Sequence, residues 1–199
     1  MHPNRWFEPR HLGCYNLKQI SLAPPSLRRP ISQMKVLPHT RSCFVCGESN
    51  PLGLNLRFET DGRIVHARFT PRPEHIGFRD TVHGGIIATL LDEIMVWACA
   101  VPTKKFAFCA EMNVRFLKPT RPRNDLLAKA ELVSNRKDKL FEARAELKTQ
   151  SGEVLATATG KYFAVRNTEA VAMASDFVDD AAWLFEADKG GAEETSRKL

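Results

Sequence analysis

The sequence predicts an α+β domain in which an antiparallel sheet curls around one long helix. Three observations carry that expectation. From Ile86 to Ala98 apolar residues recur with the helical period. Two alternating segments flanking Asp61-Gly62 precede this stretch, and four alternating segments joined by short polar links follow it. A single helix among consecutive antiparallel strands buries its surface best when the sheet wraps it.

Residues 1–40 hold six of the twelve prolines and show no periodicity. Such a segment cannot bury enough apolar surface to offset its ordering entropy, so it reads as a disordered extension. Its composition, poor in acid and containing Arg and Ser, is also that of a transit peptide, and Met34 reads as an alternative start. Cys43-Phe-Val-Cys46-Gly47 is expected to form a tight turn leading into a domain over 41–166. As a metal site it would be half of a four-thiolate set, with His39, His75 or a second subunit left to complete it. No metal is expected there.

Leu54, Leu56 and Phe58 alternate, Asp61-Gly62 supplies a turn, and residues 64–69 alternate again, which is a hairpin pattern. Pro71 and Pro73 stop it, and residues 74–82 read as a loop delivering the chain to the helix. In the helix, Ile86, Ile87, Leu90, Leu91, Ile94, Met95 and Ala98 share one face, and Gly85, Ala88 and Asp92 share the other. The helix is expected to end before Pro102. Unpaired N–H groups at its start could polarise a carbonyl oxygen, and Asp92 two turns on could attack the carbon or activate water. The plainer alternative is that Gly84-Gly85 permits tight packing and Asp92 is solvated. The strands expected next are Phe106–Leu117, Asp125–Asn135, Leu140–Thr149 and Val154–Val165, the last alternating through Leu155, Thr157, Thr159, Lys161 and Phe163. In the 167–199 extension, Val171–Leu184 reads as a short amphipathic helix ahead of a mobile tail.

Composition narrows the function classes. No run of 18 apolar residues exists, so no membrane span is expected. Net charge is +5 over residues 1–40, +6 over 41–166 and −5 over 167–199. No nucleic-acid-binding module accompanies the basic excess, which suits a small phosphorylated ligand. Five cysteines with no secretory signal favour a reducing compartment, taken as cytoplasmic.

The string His83-Gly84-Gly85, with Asp92 nine residues after the histidine, resembles the active-site helix of hotdog-fold acyl-CoA thioesterases of the PaaI-like type. Three further stretches are similar to that family in the same order. They are Cys43–Leu54, then Phe69–His75 (Phe-Thr-Pro-Arg-Pro-Glu-His), then Glu111–Pro119 (Glu-Met-Asn-Val-Arg-Phe-Leu-Lys-Pro). The resemblance implies a hotdog fold and hydrolysis of a medium-chain, long-chain or aryl acyl-CoA without a cofactor. It also implies a homodimer, paired into a dimer of dimers, with the active site shared between subunits. Asp92 would be nucleophile or general base, Gly84 N–H the oxyanion donor, and His83 an orienting group. Gly85, Cys109, Asn113, Arg115 and His75 would contact substrate, and Glu93 ranks second to Asp92 as carboxylate. Gly77 and Cys109 stand where relatives carry an Asn and a Ser or Thr, two departures in polar helpers. A non-catalytic acyl-CoA or lipid binder on the same fold is the alternative.

Overall fold

The computed structural model describes residues 34–178, 181 and 183. In chain order the strands are β1 (Lys35–Val36), β2 (Phe58–Thr60), β3 (Ile64–Phe69), β4 (Ile76–Phe78) and β5 (Thr81–Val82). Helix α1 (Gly84–Thr103) follows, then β6 (Ala107–Phe116), β7 (Leu126–Arg136), β8 (Leu140–Thr149), β9 (Val154–Ala164) and helix α2 (Asn167–Ala174). Seven strands make one antiparallel sheet in the order β1-β2-β3-β7-β8-β9-β6, and β4 and β5 form a separate ribbon. Helix α1 packs across β3 and β6 to β9, which is the wrapped arrangement expected, a hotdog.

Local chemistry sets the turns. Asp61 Oδ1 accepts N–H from Arg63 at 2.8 Å and Ile64 at 2.7 Å, and Gly62 takes the left-handed backbone at φ +94°. Lys137 and Asp138 both adopt positive φ in the β7–β8 turn, where Asn135 Oδ1 accepts the Asp138 N–H at 2.9 Å. Such paired left-handed residues match the twist of the strands they join.

Helix α1 is 20 residues long and apolar enough to span a membrane by length and composition alone. Its position argues otherwise, because Leu90, Leu91, Ile94, Met95 and Ala98 are all fully buried beneath the sheet. Its C-terminal half is enclosed on a second side as well. Trp97 packs on Phe58, Phe106 and Phe177 with ring centroids 6.3, 5.4 and 6.2 Å apart. Contrary to expectation, the helix runs past Pro102 to Thr103 and closes on Lys104 at φ +59°. Proline there costs only one hydrogen bond in a last turn whose carbonyls are already fraying.

Three further expectations need revision. On β9 Leu155 is buried as anticipated, but beyond it the buried set is Ala156, Ala158, Gly160 and Tyr162, the opposite parity to the alternation anticipated, and Phe163 is 58% exposed. Small residues under the helix let it approach closely, a preference that outweighs the apolar character of Phe163. At the N-terminal end the ordered sheet begins within the stretch read as an extension, since β1 pairs with β2 and Leu37 is fully buried. The disorder and transit-peptide readings for residues 1–33 lie outside the described residues. At the C-terminal end α2 starts earlier and stops at Ala174, well short of Leu184. The chain then bridges Thr40 through Phe177, and Asp176 accepts the Ser42 hydroxyl at 2.7 Å. The tail expectation beyond residue 183 lies outside the described residues.

Candidate active site

Two points on α1 define the site, its first turn and Asp92. His83 caps the helix with extended backbone, φ −60° and ψ 132°, and its Nδ1 accepts the Gly85 N–H at 2.9 Å. The His83 N–H in turn donates to the His75 carbonyl at 2.8 Å, tying the cap to the preceding loop. Gly77 is needed for this closeness, since a Cβ there would lie 2.9 Å from His83 Cδ2 and 3.1 Å from its Cα. Gly85 was expected to contact substrate, but its N–H is already taken by His83. Gly84 N–H has no partner among the described residues, and the half-exposed ring of Phe116 lies over it, 3.3 Å from where a Cβ would stand.

Asp92 sits half-buried where α1 meets β9 and the edge strand β6. It does not point clear of its own sheet, because Tyr162 of β9 donates its hydroxyl to Asp92 Oδ1 at 3.0 Å. Tyr162 is fully buried, and burial first and the Asp92 charge second push its phenol far above the ordinary range, so it remains a donor. Gly160 makes room for it, since a Cβ there would lie 2.6 Å from Tyr162 Cε2 and 2.9 Å from its oxygen. Cys109 is the cross-strand partner of Tyr162 and also faces Asp92. Desolvation and the neighbouring Asp92 charge push its thiol up to about 11, which leaves an S–H where a hydroxyl was looked for.

Glu93 turns to the other side of the helix. Its Oε1 lies 3.9 Å from Cys43 Sγ, and burial, with the Cys43 and Asp92 charges adding, pushes its carboxyl up to about 8. It is therefore remote from the Tyr162–Cys109 side that Asp92 occupies.

The remaining residues divide. His75 was expected to meet substrate, yet it is 6% exposed and stacks on Phe69 at 5.8 Å. Its Nδ1 accepts the Arg72 backbone N–H at 3.1 Å, and burial and the Arg72 charge lower its pKa, so it is a neutral structural ring. Asn113 and Arg115 pair across β9 with Thr159 and Thr157, whereas the neighbours Met112 and Val114 pair with Gly160 and Ala158 on the helix side. Alternation along the strand therefore places Asn113 and Arg115 on the face away from Asp92. A register shift between Cys109 and Glu111 is what keeps Cys109 on the Asp92 side while sending Glu111, Asn113 and Arg115 outward. Tyr162 escaped the sequence reading. The signal that could have found it is Gly160, a glycine inside a strand pattern, which marks close approach.

Eight residues separate Gly84 from Asp92, a rise of about 12 Å along a helix. One thioester group cannot touch both within a single chain.

The Thioesterase superfamily sequence profile matches residues 80–156, the span that contains α1, β6, β7 and β8. No curated protein matches the chain. Among solved structures, a thioesterase superfamily protein is 25% identical with a TM-score of 0.56, over 62% of this chain and 60% of its own. This chain thus spans less than two thirds of that protein's length. The Escherichia coli PaaI protein from the phenylacetic acid degradation operon is 20% identical, with a TM-score of 0.52 over 57% of this chain and 81% of its own. Zebra fish thioesterase superfamily member 2 is 20% identical, with a TM-score of 0.53 over 58% and 88% of the two chains. The last two likenesses speak to fold. Residues 80–156 thus resemble the Thioesterase superfamily, and the solved neighbours share the hotdog fold of this domain.

Proposed function

We propose that the protein hydrolyses the thioester of an acyl-CoA at a site shared by two copies of the chain. The observation that carries this reading is the pairing of a Tyr162-anchored Asp92 with an unpartnered Gly84 N–H about 12 Å away on the same helix. Both features have chemical use only if Gly84 of one copy faces Asp92 of the other. The exposed apolar residues Phe108, Phe116 and Leu117, on and just after the edge strand β6, supply a surface for that second copy.

In this mechanism Tyr162 holds Oδ1 of Asp92 and leaves Oδ2 for a water molecule. Asp92 takes a proton as the water oxygen attacks the thioester carbon, or attacks that carbon directly, in which case a water molecule then hydrolyses the acyl–aspartyl anhydride to free acid and Asp92. The resulting oxyanion is held by Gly84 N–H at the positive end of the second copy's α1. Collapse of the tetrahedral species breaks the carbon–sulfur bond and expels the coenzyme A thiolate, which is then protonated. Such an oxyanion donor contributes about 3 kcal/mol, and a positioned base about 3–5 kcal/mol.

Thiol release from a panel of acyl-CoAs tests the reading. The wild type should turn over at least one acyl class, and Asp92→Asn should lose about 10²–10⁴-fold in kcat while still binding substrate. A wild-type protein that binds acyl-CoA without releasing thiol would be a carrier instead. Mixing Asp92→Asn with Gly84→Val, each inactive alone, should restore partial activity, because mixed dimers retain one intact site.

A further inference from the structure

Cys43, Cys46 and Glu93 have no part in the mechanism above. They converge nonetheless. Cys43 Sγ, Cys46 Sγ and a Glu93 carboxylate oxygen all lie within 4.8 Å of one another, and the Cys43 to Glu93 separation is 3.9 Å. Two ligands come from the turn at the start of the domain and the third from the middle of α1. A tetrahedral zinc ion with Zn–S near 2.3 Å and Zn–O near 2.1 Å requires ligand–ligand edges of roughly 3.5–3.8 Å. Small side-chain rotations close the observed spacing to that value.

The surroundings fit a ligated cation. The Val45 N–H points at Cys43 Sγ at 3.2 Å, a donor suited to the thiolate form, and the Thr40 hydroxyl lies 3.6 Å from Cys46 Sγ, where either atom can donate. Cys46 is 1% exposed. Gly47 locks the turn, since a Cβ there would lie 2.3 Å from the Cys43 carbonyl oxygen and 2.7 Å from its nitrogen. The Trp97 indole Nε1, one helical turn after Glu93, is buried without a hydrogen bond, although it bears on the Glu93 carboxylate electrostatically. It can become the outer-shell donor to that carboxylate once the oxygen is drawn toward an ion.

We propose that Cys43, Cys46 and Glu93 bind a zinc-class divalent cation that staples the N-terminal turn to α1, one residue from Asp92. Two thiolates and a carboxylate select a borderline-soft ion over magnesium or calcium. Binding releases the thiol protons, and the Glu93 carboxyl proton where it is held, to solvent, and a water molecule completes the tetrahedron. His39 Nε2 lies against Glu48 Oε2 at 3.2 Å and is not among the three converging ligands. The proposal is independent of the thioesterase reading, because the metal takes no step in hydrolysis.

The test uses the full chain, purified under reducing conditions, chelated and titrated with Co(II) and Zn(II). One Zn(II) per chain should be retained, and Co(II) should give the near-ultraviolet sulfur-to-cobalt absorption of a thiolate site. Cys43→Ser and Cys46→Ser should weaken binding by more than the ~10–100-fold typical of an outer-shell change and remove part of that absorption. Glu93→Gln should keep the absorption and weaken affinity. Zn(II) should also raise the thermal midpoint of the chelated wild type, a readout that needs no variant to fold. Absence of retained zinc and of the cobalt absorption in the wild type overturns the proposal. So does absorption that persists unchanged in Cys43→Ser, which would mark adventitious binding at another thiol, or recovery of Cys43 and Cys46 as a disulfide that excludes metal.

Discussion

Replacing Gly160 with Ala probes how Asp92 is held without touching Asp92 or any group near the substrate. The new Cβ would stand 2.6 Å from Tyr162 Cε2, 3.0 Å from Cζ and 2.9 Å from the hydroxyl oxygen. Ordinary van der Waals contact begins near 3.4 Å, so the ring must retreat by about 0.8 Å. Tyr162 is fully buried and has no open space to move into. The Tyr162–Asp92 hydrogen bond, 3.0 Å in the structure, is therefore stretched past useful length. Overpacking costs about 1–3 kcal/mol, and losing a hydrogen bond to a charged group about 1.5–3 kcal/mol, so unfolding stability should drop by about 2.5–6 kcal/mol. A catalytic group displaced by about 1 Å can lose 10²-fold in rate, so kcat for thioester hydrolysis should fall by about 10–100-fold. Urea unfolding and thiol-release kinetics on the same preparation measure both. Tyr162→Phe separates the two effects, because it keeps the ring and deletes the donor. It should cost kcat about as much while losing only the hydrogen-bond share of stability, about 1.5–3 kcal/mol. If Gly160→Ala folds with wild-type stability, the packing argument is wrong; if Tyr162→Phe keeps wild-type kcat, Tyr162 does not position Asp92.

Other perturbations read other parts of the structure. Gly84→Ala places a methyl 3.3 Å from the exposed Phe116 ring, which can yield, so thermal unfolding should change little. Turnover should nonetheless fall by about 10-fold or more, because approach to the oxyanion donor is narrowed, and Phe116→Ala in the same chain should recover part of it. Gly47→Ala collides with backbone atoms 2.3–2.8 Å away that have no room to move, and should cost about 3 kcal/mol or more in urea unfolding. His75 is held neutral by burial and by Arg72, so its folded pKa lies below that of the unfolded chain. Its contribution to stability is present in full above the unfolded value near 6.5 and is lost as pH falls through the lower folded value. Calorimetry from pH 7 downward should show a shallower loss for His75→Phe than for the wild type, with His66, shifted the same way, contributing what slope remains.

Much of the architecture could be read before any coordinates. The buried face of α1 and the β8 alternation through Phe141, Ala143, Ala145 and Leu147 appear as anticipated. Such patterns are local, because period and burial are written in neighbouring residues. The order of motifs from Cys43 to Pro119 likewise pointed to the hotdog fold, and the sheet wrapped on α1 has that form. What the linear pattern misjudged involves a competing preference. On β9 the apolar Phe163 faces outward, since the helix needs small neighbours at Ala156, Ala158 and Gly160.

The candidate site divides along the same line. His83, Gly84, Gly85 and Asp92 lie within ten residues, so their arrangement on one helix follows from the chain itself. Tyr162 stands 70 residues from Asp92, and its reach depends on strand pairing, the register shift near Cys109 and the space left at Gly160. The separation of Asn113 and Arg115 from Asp92 depends on that same shift. Glu93 joins Cys43 and Cys46 only because the domain's first turn folds back on α1 across 50 residues. Residues adjacent in sequence share a geometry imposed by backbone period, whereas residues far apart meet only where tertiary packing fixes register, and a shift of one residue turns a side chain to the opposite face.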